Sequence, residues 1–255
     1  MSKIIALLTD FGLKDGFVGS MKGVILSINP DAKIVDISHD ITSFDIVEAC
    51  VVLNATYKYF PKGTIFVSVV DPGVGTERKP IVVKTQDYYF VAPDNGLLTL
   101  ALENQKVEKV IHIKKYTLKT DTNTFHGRDV FAPTSAYISK GINVEDLGDS
   151  LEDYKKLEDL KPKVEKNKIF GKILMFDKFG NGITNISTLP EKFRLHYKEY
   201  TLENVKNNFL EGEKDKPNLI KGSFGFYELF IPMKNFKETF NAQKNDEILI
   251  EVRKL

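Results

Sequence analysis

The first half of the chain alternates short, continuous apolar runs with segments whose apolar residues recur every three to four positions. Residues 3–9 read as a buried strand, because Ile4 to Leu8 is uninterruptedly apolar and the run stops at Thr9-Asp10-Phe11-Gly12. Phe17, Met21, Val24 and Ile28 then recur at helical spacing, which predicts a helix ended by Asn29-Pro30. Gly16, Gly19 and Gly23 fall on one face of that helix, at about 1 kcal/mol of helix stability each. Such a face is tolerable if it lies close against a strand or a ligand. Lys33–Ile37 predicts a second strand, Asp45–Tyr59 a helix and Thr64–Val70 a third strand. Ile81–Thr85 and Tyr88–Ala92 alternate around Gln86-Asp87 as a hairpin would. Leu97–Leu102 predicts a short helix and Val107–Ile113 a strand; a helix after Thr124-Phe125-His126-Gly127-Arg128-Asp129 runs to Ser139. This is the βαβ rhythm of a mainly parallel sheet with flanking helices.

The rhythm changes after Leu151. Residues 151–168 are rich in Lys, Glu and Asp and carry little apolar periodicity, as a linker between domains does. Beyond it, strand-like runs appear at Ile169–Phe176, Gly182–Ile186, Leu219–Lys221, Gly225–Ile231 and Glu247–Val252. Short strands separated by turn residues predict a small antiparallel barrel or sandwich. The expected class is therefore α/β: an N-terminal mainly parallel sheet with flanking helices over 1–155, a linker over 156–167, and a smaller C-terminal antiparallel β-barrel domain over 168–255.

Composition narrows the function classes. The 255 residues carry 36 Lys and Arg against 35 Asp and Glu, a net charge of +1. That balance leaves no electrostatic footprint for nucleic acid. No run approaches membrane-spanning length and no signal segment is evident, so a soluble cytoplasmic protein is expected. Cys50 is the only cysteine; it sits in an apolar helical pattern and reads as a buried structural thiol. His39, His112, His126 and His196 form no metal-ligand spacing, so no metal site is expected.

Candidate chemistry gathers at strand ends. Val67-Ser68-Val69-Val70 stops at Asp71, and Pro72-Gly73-Val74-Gly75-Thr76 turns the chain toward Arg78. Ligands in α/β sheets bind just past the carboxyl ends of strands, so Asp71 and Arg78 are candidates to face one pocket. The alternative is a surface turn with a weak ion pair. No Gly-Lys-Ser/Thr follows the turn, which argues against triphosphate binding. Asp10, between a strand and a helix, is either a cap or a carboxylate that accepts two hydroxyls, as acids in nucleotide-binding sheets do for ribose. Asp10-Phe11-Gly12 matches a kinase tripeptide, but the rest of the kinase set is missing. His126, in a Gly-containing turn, is the candidate for acid–base work; solvated loop histidine is the alternative. Asp177-Lys178-Phe179-Gly180-Asn181-Gly182 suits a hairpin turn, or a loop offering an acid, a ring and an amide to one ligand.

Taken in order, five stretches resemble one family: Leu8-Thr9-Asp10-Phe11-Gly12, Val70-Asp71-Pro72-Gly73-Val74-Gly75, Ala92-Pro93-Asp94-Asn95-Gly96-Leu97-Leu98, Phe125-His126-Gly127-Arg128-Asp129 and Phe179-Gly180-Asn181-Gly182-Ile183-Thr184-Asn185-Ile186. They look like the adenosine-forming S-adenosyl-L-methionine (SAM) hydrolases, or SAM hydroxide adenosyltransferases, relatives of fluorinase and chlorinase. The resemblance implies an α/β domain joined to a β-barrel, and a homotrimer with active sites between subunits. It implies that Asp71, Arg78 and His126 handle the attacking water and that Asp10 holds both ribose hydroxyls. It sets Phe44 beside the ribose and sulfonium, and Asp177 on the methionine amino group. Phe179 and Asn181 correspond to adenosine contacts, and Ser223 and Phe209 complete the methionine and adenine ends. Halogenases of the group lack the acid at 71 and the His-Gly at 126–127, and carry an insertion near Gln86. Halide chemistry is therefore not expected here.

The implied activity is hydrolysis of SAM to adenosine and L-methionine by attack at C5′, with SAM as substrate and neither cofactor nor metal. Arg78 beside Asp71 is expected to favour the ionised acid and so weaken it as a base. A non-catalytic adenosyl-ligand sensor is the rival from another class. A methyltransferase is a third reading, but the Gly-rich first βα loop it needs is missing.

Overall fold

The computed structural model describes residues Ile4 to Arg253, in two compact units, Met1–Leu157 and Glu158–Leu255. The first unit runs β1 (Ile4–Thr9), α1 (Phe17–Ile28), β2 (Lys33–Ser38), α2 (Ile46–Thr56), β3 (Ile65–Val69), β4 (Pro80–Thr85), β5 (Tyr89–Pro93), α3 (Thr99–Glu103), β6 (Val107–Ile113), α4 (Ala132–Ser139) and β7 (Gly148–Ser150). Its sheet has the order β2-β1-β3-β5-β4-β6-β7. β1 pairs in parallel with β2 and β3, and β3 with β5, whereas β4, β6 and β7 add antiparallel pairings.

Successive strand residues point to opposite faces, so each apolar run feeds two cores. Ala6, Leu8 and Phe66 join Tyr57, Tyr88 and Phe90 on one face. Ile5, Leu7, Ile65 and Val67 meet Met21, Ile25, Phe131 and Ala136 on the other. That double coverage is why β1 is unbroken in apolar residues from Ile4 to Leu8 and why every residue of β3, Ser68 included, is buried. The chain leaves β1 for β2 on one side and returns to β3 on the other. The carboxyl ends of β1 and β3 therefore form a topological switch point, where a crevice opens. Thr9 sits opposite Val69 there, so Asp10 and Asp71 begin the two loops that flank it.

The second unit contains β8 (Lys163–Glu165), β9 (Lys168–Phe176), β10 (Gly182–Thr184), β11 (Phe193–Tyr197), β12 (Tyr200–Leu202), β13 (Asn218–Lys221), β14 (Tyr227–Phe230), α5 (Phe236–Thr239) and β15 (Glu247–Val252). The strands pair antiparallel in the order β12-β11-β15-β9-β10-β14-β13, with β8 on β9. An isolated bridge from Lys206 to Ile220 brings the chain after β12 back to β13, giving a barrel-like sheet around Leu195, Tyr197, Leu229 and Phe236. The expected class, α/β with a C-terminal antiparallel barrel, is what the chain adopts.

Several local expectations are corrected. Lys3 lies outside the described residues. Helix α1 buries Met21 of the expected stripe together with Val18 and Ile25, and Val24 and Ile28 pack half-buried against the core, but Phe17 is 44% exposed. Nothing lies within 4 Å of where a Cβ would stand on Gly19 or Gly23, so that face is open in this chain. Gly16 lies before the helix in a left-handed conformation. β7, β11 and β12 went unread in the sequence, and β8 forms in the stretch read as a linker. The segment after His126 begins as a wide turn over Gly127–Phe131 before α4. Cys50 is fully buried; burial pushes its thiol up to about 12, and Leu100 N–H donates to Sγ at 3.4 Å. Among the described residues no helix is long and apolar enough to cross a membrane.

Phe66 anchors an aromatic cluster in the N-terminal core. Phe66 is fully buried and packs against Phe60, Tyr88, Tyr57 and Phe90, with ring centroids 5.3–6.4 Å apart. Phe66→Ala should cost about 3–5 kcal/mol in denaturant-induced unfolding, because the rings around the hole cannot all collapse into it.

Candidate active site

Asp71 lies two residues past the end of β3, and the intervening Val70 is pinned by Asn95, whose Nδ2 donates to Val70 O at 2.8 Å. Gly75 lets the following turn close, with φ +77° and the Asn123 carbonyl where a side chain would stand. The turn returns Arg78 onto Asp71 as a two-pronged pair: Nε donates to Oδ1 at 3.1 Å, and Nη2 donates to Oδ2. Both side chains are nearly sealed, at 7% and 5% exposure. Arg78 Nη2 also lies 3.0 Å from His126 Nδ1, and His126 Nε2 lies 2.6 Å from Asn123 Oδ1. A guanidinium only donates and an amide oxygen only accepts, which fixes the histidine as the neutral Nε2–H tautomer. Phe131 supports the group from below, its ring 5.6 Å from the Arg78 carbon and edge-on to His126.

Burial shifts both titrating partners. Asp71 is pushed above its ordinary 3.8 by loss of water, and Arg78 beside it only partly offsets this. The expectation that Arg78 would make Asp71 a weaker base is thereby reversed. His126 is held below its ordinary 6.5 by burial first and by the Arg78 charge second. A base of raised pKa beside a neutral imidazole can take a proton without first losing one.

Asp71 and His126 open onto a cavity of about 350 Å³, also lined by Phe11, Phe17, Val74 and Phe125. The three phenylalanines pack edge to face, with centroids 5.1–5.9 Å apart. Gly127 permits that packing, since a Cβ there would meet Phe125, Phe11 and Met21 within 3.2 Å. Arg128 and Asp129 of the same motif serve a separate purpose. They pair with each other at 2.6 Å, and Asp129 accepts Thr120 Oγ1 at 3.2 Å, anchoring the preceding loop. Asp10 Oδ2 accepts the Phe44 N–H at 2.8 Å. That bond fixes a loop on which Phe44 adopts φ +67° and presents its ring at 69% exposure.

The remaining candidates meet in the second unit. Asp177, Phe179, Asn181, Phe209 and Ser223 all line one cavity of about 730 Å³. Asp177 caps its own hairpin: Oδ1 accepts Phe179 N–H and Asn181 N–H at 2.9 and 2.8 Å, and Oδ2 accepts Asn181 Nδ2 at 2.9 Å. The turn reading and the ligand-loop reading therefore describe the same residues. Phe179 stands 75% exposed at the rim.

Sequence reasoning missed Asn123, Asn95 and the Phe11–Phe17–Phe125 cluster. Asn123 carries no pattern signal, because its value lies in touching His126 and Gly75, remote in sequence. Asn123 Nδ2 donates to Gly75 O at 3.3 Å and so also ties the two loops together. In an NMR titration His126 should show the Nε2–H tautomer and a midpoint below 6.5. Asn123→Ala should keep the Nε2–H tautomer, because Arg78 still donates to Nδ1, and should leave the fold intact, because Asn123 is exposed.

Three comparisons with known proteins bear on this geometry. Residues 5–148 match the SAM hydroxide adenosyltransferase N-terminal domain and residues 171–249 the C-terminal domain. The chain is 38% identical to a (R)-S-adenosyl-L-methionine hydrolase of Methanocaldococcus jannaschii, over 97% of this chain and 95% of that one. It is 30% identical to the hydrolase of the same name from Thermus thermophilus, over 94% and 96%. Among solved structures, an uncharacterized conserved protein from Thermotoga maritima superposes with a TM-score of 0.87 at 38% identity, covering 98% of this chain and all of the other. The corner at the switch point and the barrel cavity thus sit in matched domains, and the chain belongs to the SAM hydroxide adenosyltransferase family.

Proposed function

We propose that this protein hydrolyses S-adenosyl-L-methionine to adenosine and L-methionine, by in-line attack of water at C5′. The observation that carries the reading is a buried carboxylate of raised pKa, clamped by an arginine, opening onto a cavity in the N-terminal family domain. As the C5′–O bond forms, the C5′–S bond breaks. The sulfonium keeps the electron pair and departs as a neutral thioether, so no acid need protonate it. Asp71 accepts the water proton, which passes to solvent. Arg78 holds the carboxylate in place, and the His126 Nε2–H would orient the water in place of Asn123. A sealed, fixed arrangement of this kind strengthens each polar contact at the reacting carbon.

Asp10 would hold the ribose hydroxyls and Phe44 the sugar face. Asp177, Phe179, Asn181, Phe209 and Ser223 would take the adenine and methionine ends, since they share one cavity. An aromatic rim suits a cationic substrate. No metal or cofactor enters this mechanism. On this reading an N-terminal domain over 1–155 and a barrel domain over 168–255, joined by a linker over 156–167, cooperate across subunits of a homotrimer. The setting is the cytoplasm, where this substrate is used. A non-catalytic sensor would bind SAM without turnover.

In ¹⁸O-water the label should enter the 5′-hydroxyl of adenosine; adenine or methylthioadenosine as product would refute the reaction. Asp71→Asn and His126→Ala should each slow turnover by on the order of 10²-fold or more, as lost acid–base groups do. kcat/KM should fall on the acid side, with the Asp71 limb above the ordinary 3.8 of an aspartate and the His126 limb below the ordinary 6.5 of a histidine. Protonating Asp71, whose pKa is raised, removes the acceptor; protonating His126, whose pKa is lowered, sets its Nδ1–H against Arg78. Light scattering should give a particle of three 28.9 kDa chains.

A further inference from the structure

Glu228 is a buried acid that the mechanism above leaves unused. It sits on β14 between β10 and β13, opposite Ile183 and Ile220, and is 3% exposed. Its carboxyl lies against Gly222, where even a methyl group would overlap it, and it lines the same cavity as Asp177 and Ser223. Among the described residues no hydrogen bond or ion pair reaches its carboxyl. Lys221, on the neighbouring strand, spends its ammonium on the Ser187 and Gly225 carbonyls and the Tyr227 ring. Burial and the negative charge of Asp177 push Glu228 up to about 7. A buried carboxylate without a cation is unfavourable, so a ligand that brings one is favoured there.

Asp177 is poorly placed to supply that acceptor alone. Three of its acceptor positions are already taken by its own hairpin. Glu228 has both oxygens free. SAM carries two cations, but only its ammonium has N–H groups to donate; a sulfonium has none. We propose that Glu228 is a substrate-binding residue whose buried carboxyl, opening into the barrel-domain cavity beside Asp177, receives the ammonium group of the methionine moiety. The inference rests on the SAM reading above and adds a residue to it.

The test compares SAM with an analogue in which hydrogen replaces the α-ammonium, in wild-type protein and in Glu228→Gln. Wild type should prefer SAM by about 10-fold or more in kcat/KM, carried by KM, as a charge-assisted hydrogen bond allows. In Glu228→Gln that preference should collapse toward unity, with most of the loss falling on SAM. Equal loss on both substrates, or an unchanged preference, would overturn the proposal. So would a wild-type protein that does not distinguish the two, a result that stands even if the variant fails to fold. If wild type releases no adenosine from SAM, the hydrolase reading fails separately. The preference is then read from calorimetric Kd values for the same two compounds.

Discussion

A guanidinium sealed from water at the end of a parallel strand must find its charge and its hydrogen bonds inside the protein. Arg78 grips Asp71 with two nitrogens and turns one of them to His126 as well, while Nη1 stays buried without a hydrogen-bond partner. Removing either partner would leave a buried charge uncompensated, which typically costs 3–5 kcal/mol. The surrounding structure is consistent with that constraint. Gly75 tightens the turn, Asn95 pins the strand end, and Asn123 fixes the imidazole from its far side. Chemistry follows from the same constraint, since a carboxylate held this way cannot swing away from its cavity.

The pair also shows how burial and charge compete. Arg78 alone would lower the Asp71 pKa, but loss of solvent works the other way and is the larger effect. The result is a carboxylate more basic than an exposed aspartate. The same competition acts on Glu228 in the barrel, where no cation opposes burial and the rise is greater. One fold thus carries two buried acids set differently by their neighbours.

Each unit contributes a different kind of surface. The α/β unit offers a small, aromatic-walled cavity with polar groups at one corner. The barrel offers a larger cavity with a hairpin acid, an amide and exposed rings around it.

The amino-acid sequence by itself determined the class of fold. Unbroken apolar runs such as Ile4 to Leu8 require cover on both faces, and the short alternating runs after residue 168 require a barrel or sandwich. The acids at strand ends, Asp10 and Asp71, were legible because apolar runs stop there. The ordered motifs made the family legible. Strands β11 and β12 were less visible, although Phe193-Arg194-Leu195-His196-Tyr197 alternates, because Lys and Glu around it mask the pattern. Only the tertiary structure decided which residues meet. Asn123 and Gly75, or Arg78 and His126, are neighbours by packing, and no local pattern announces such pairs. The Asp71 pKa was likewise undecidable from residue types, since its direction depends on how much water the fold removes and not on Arg78 alone.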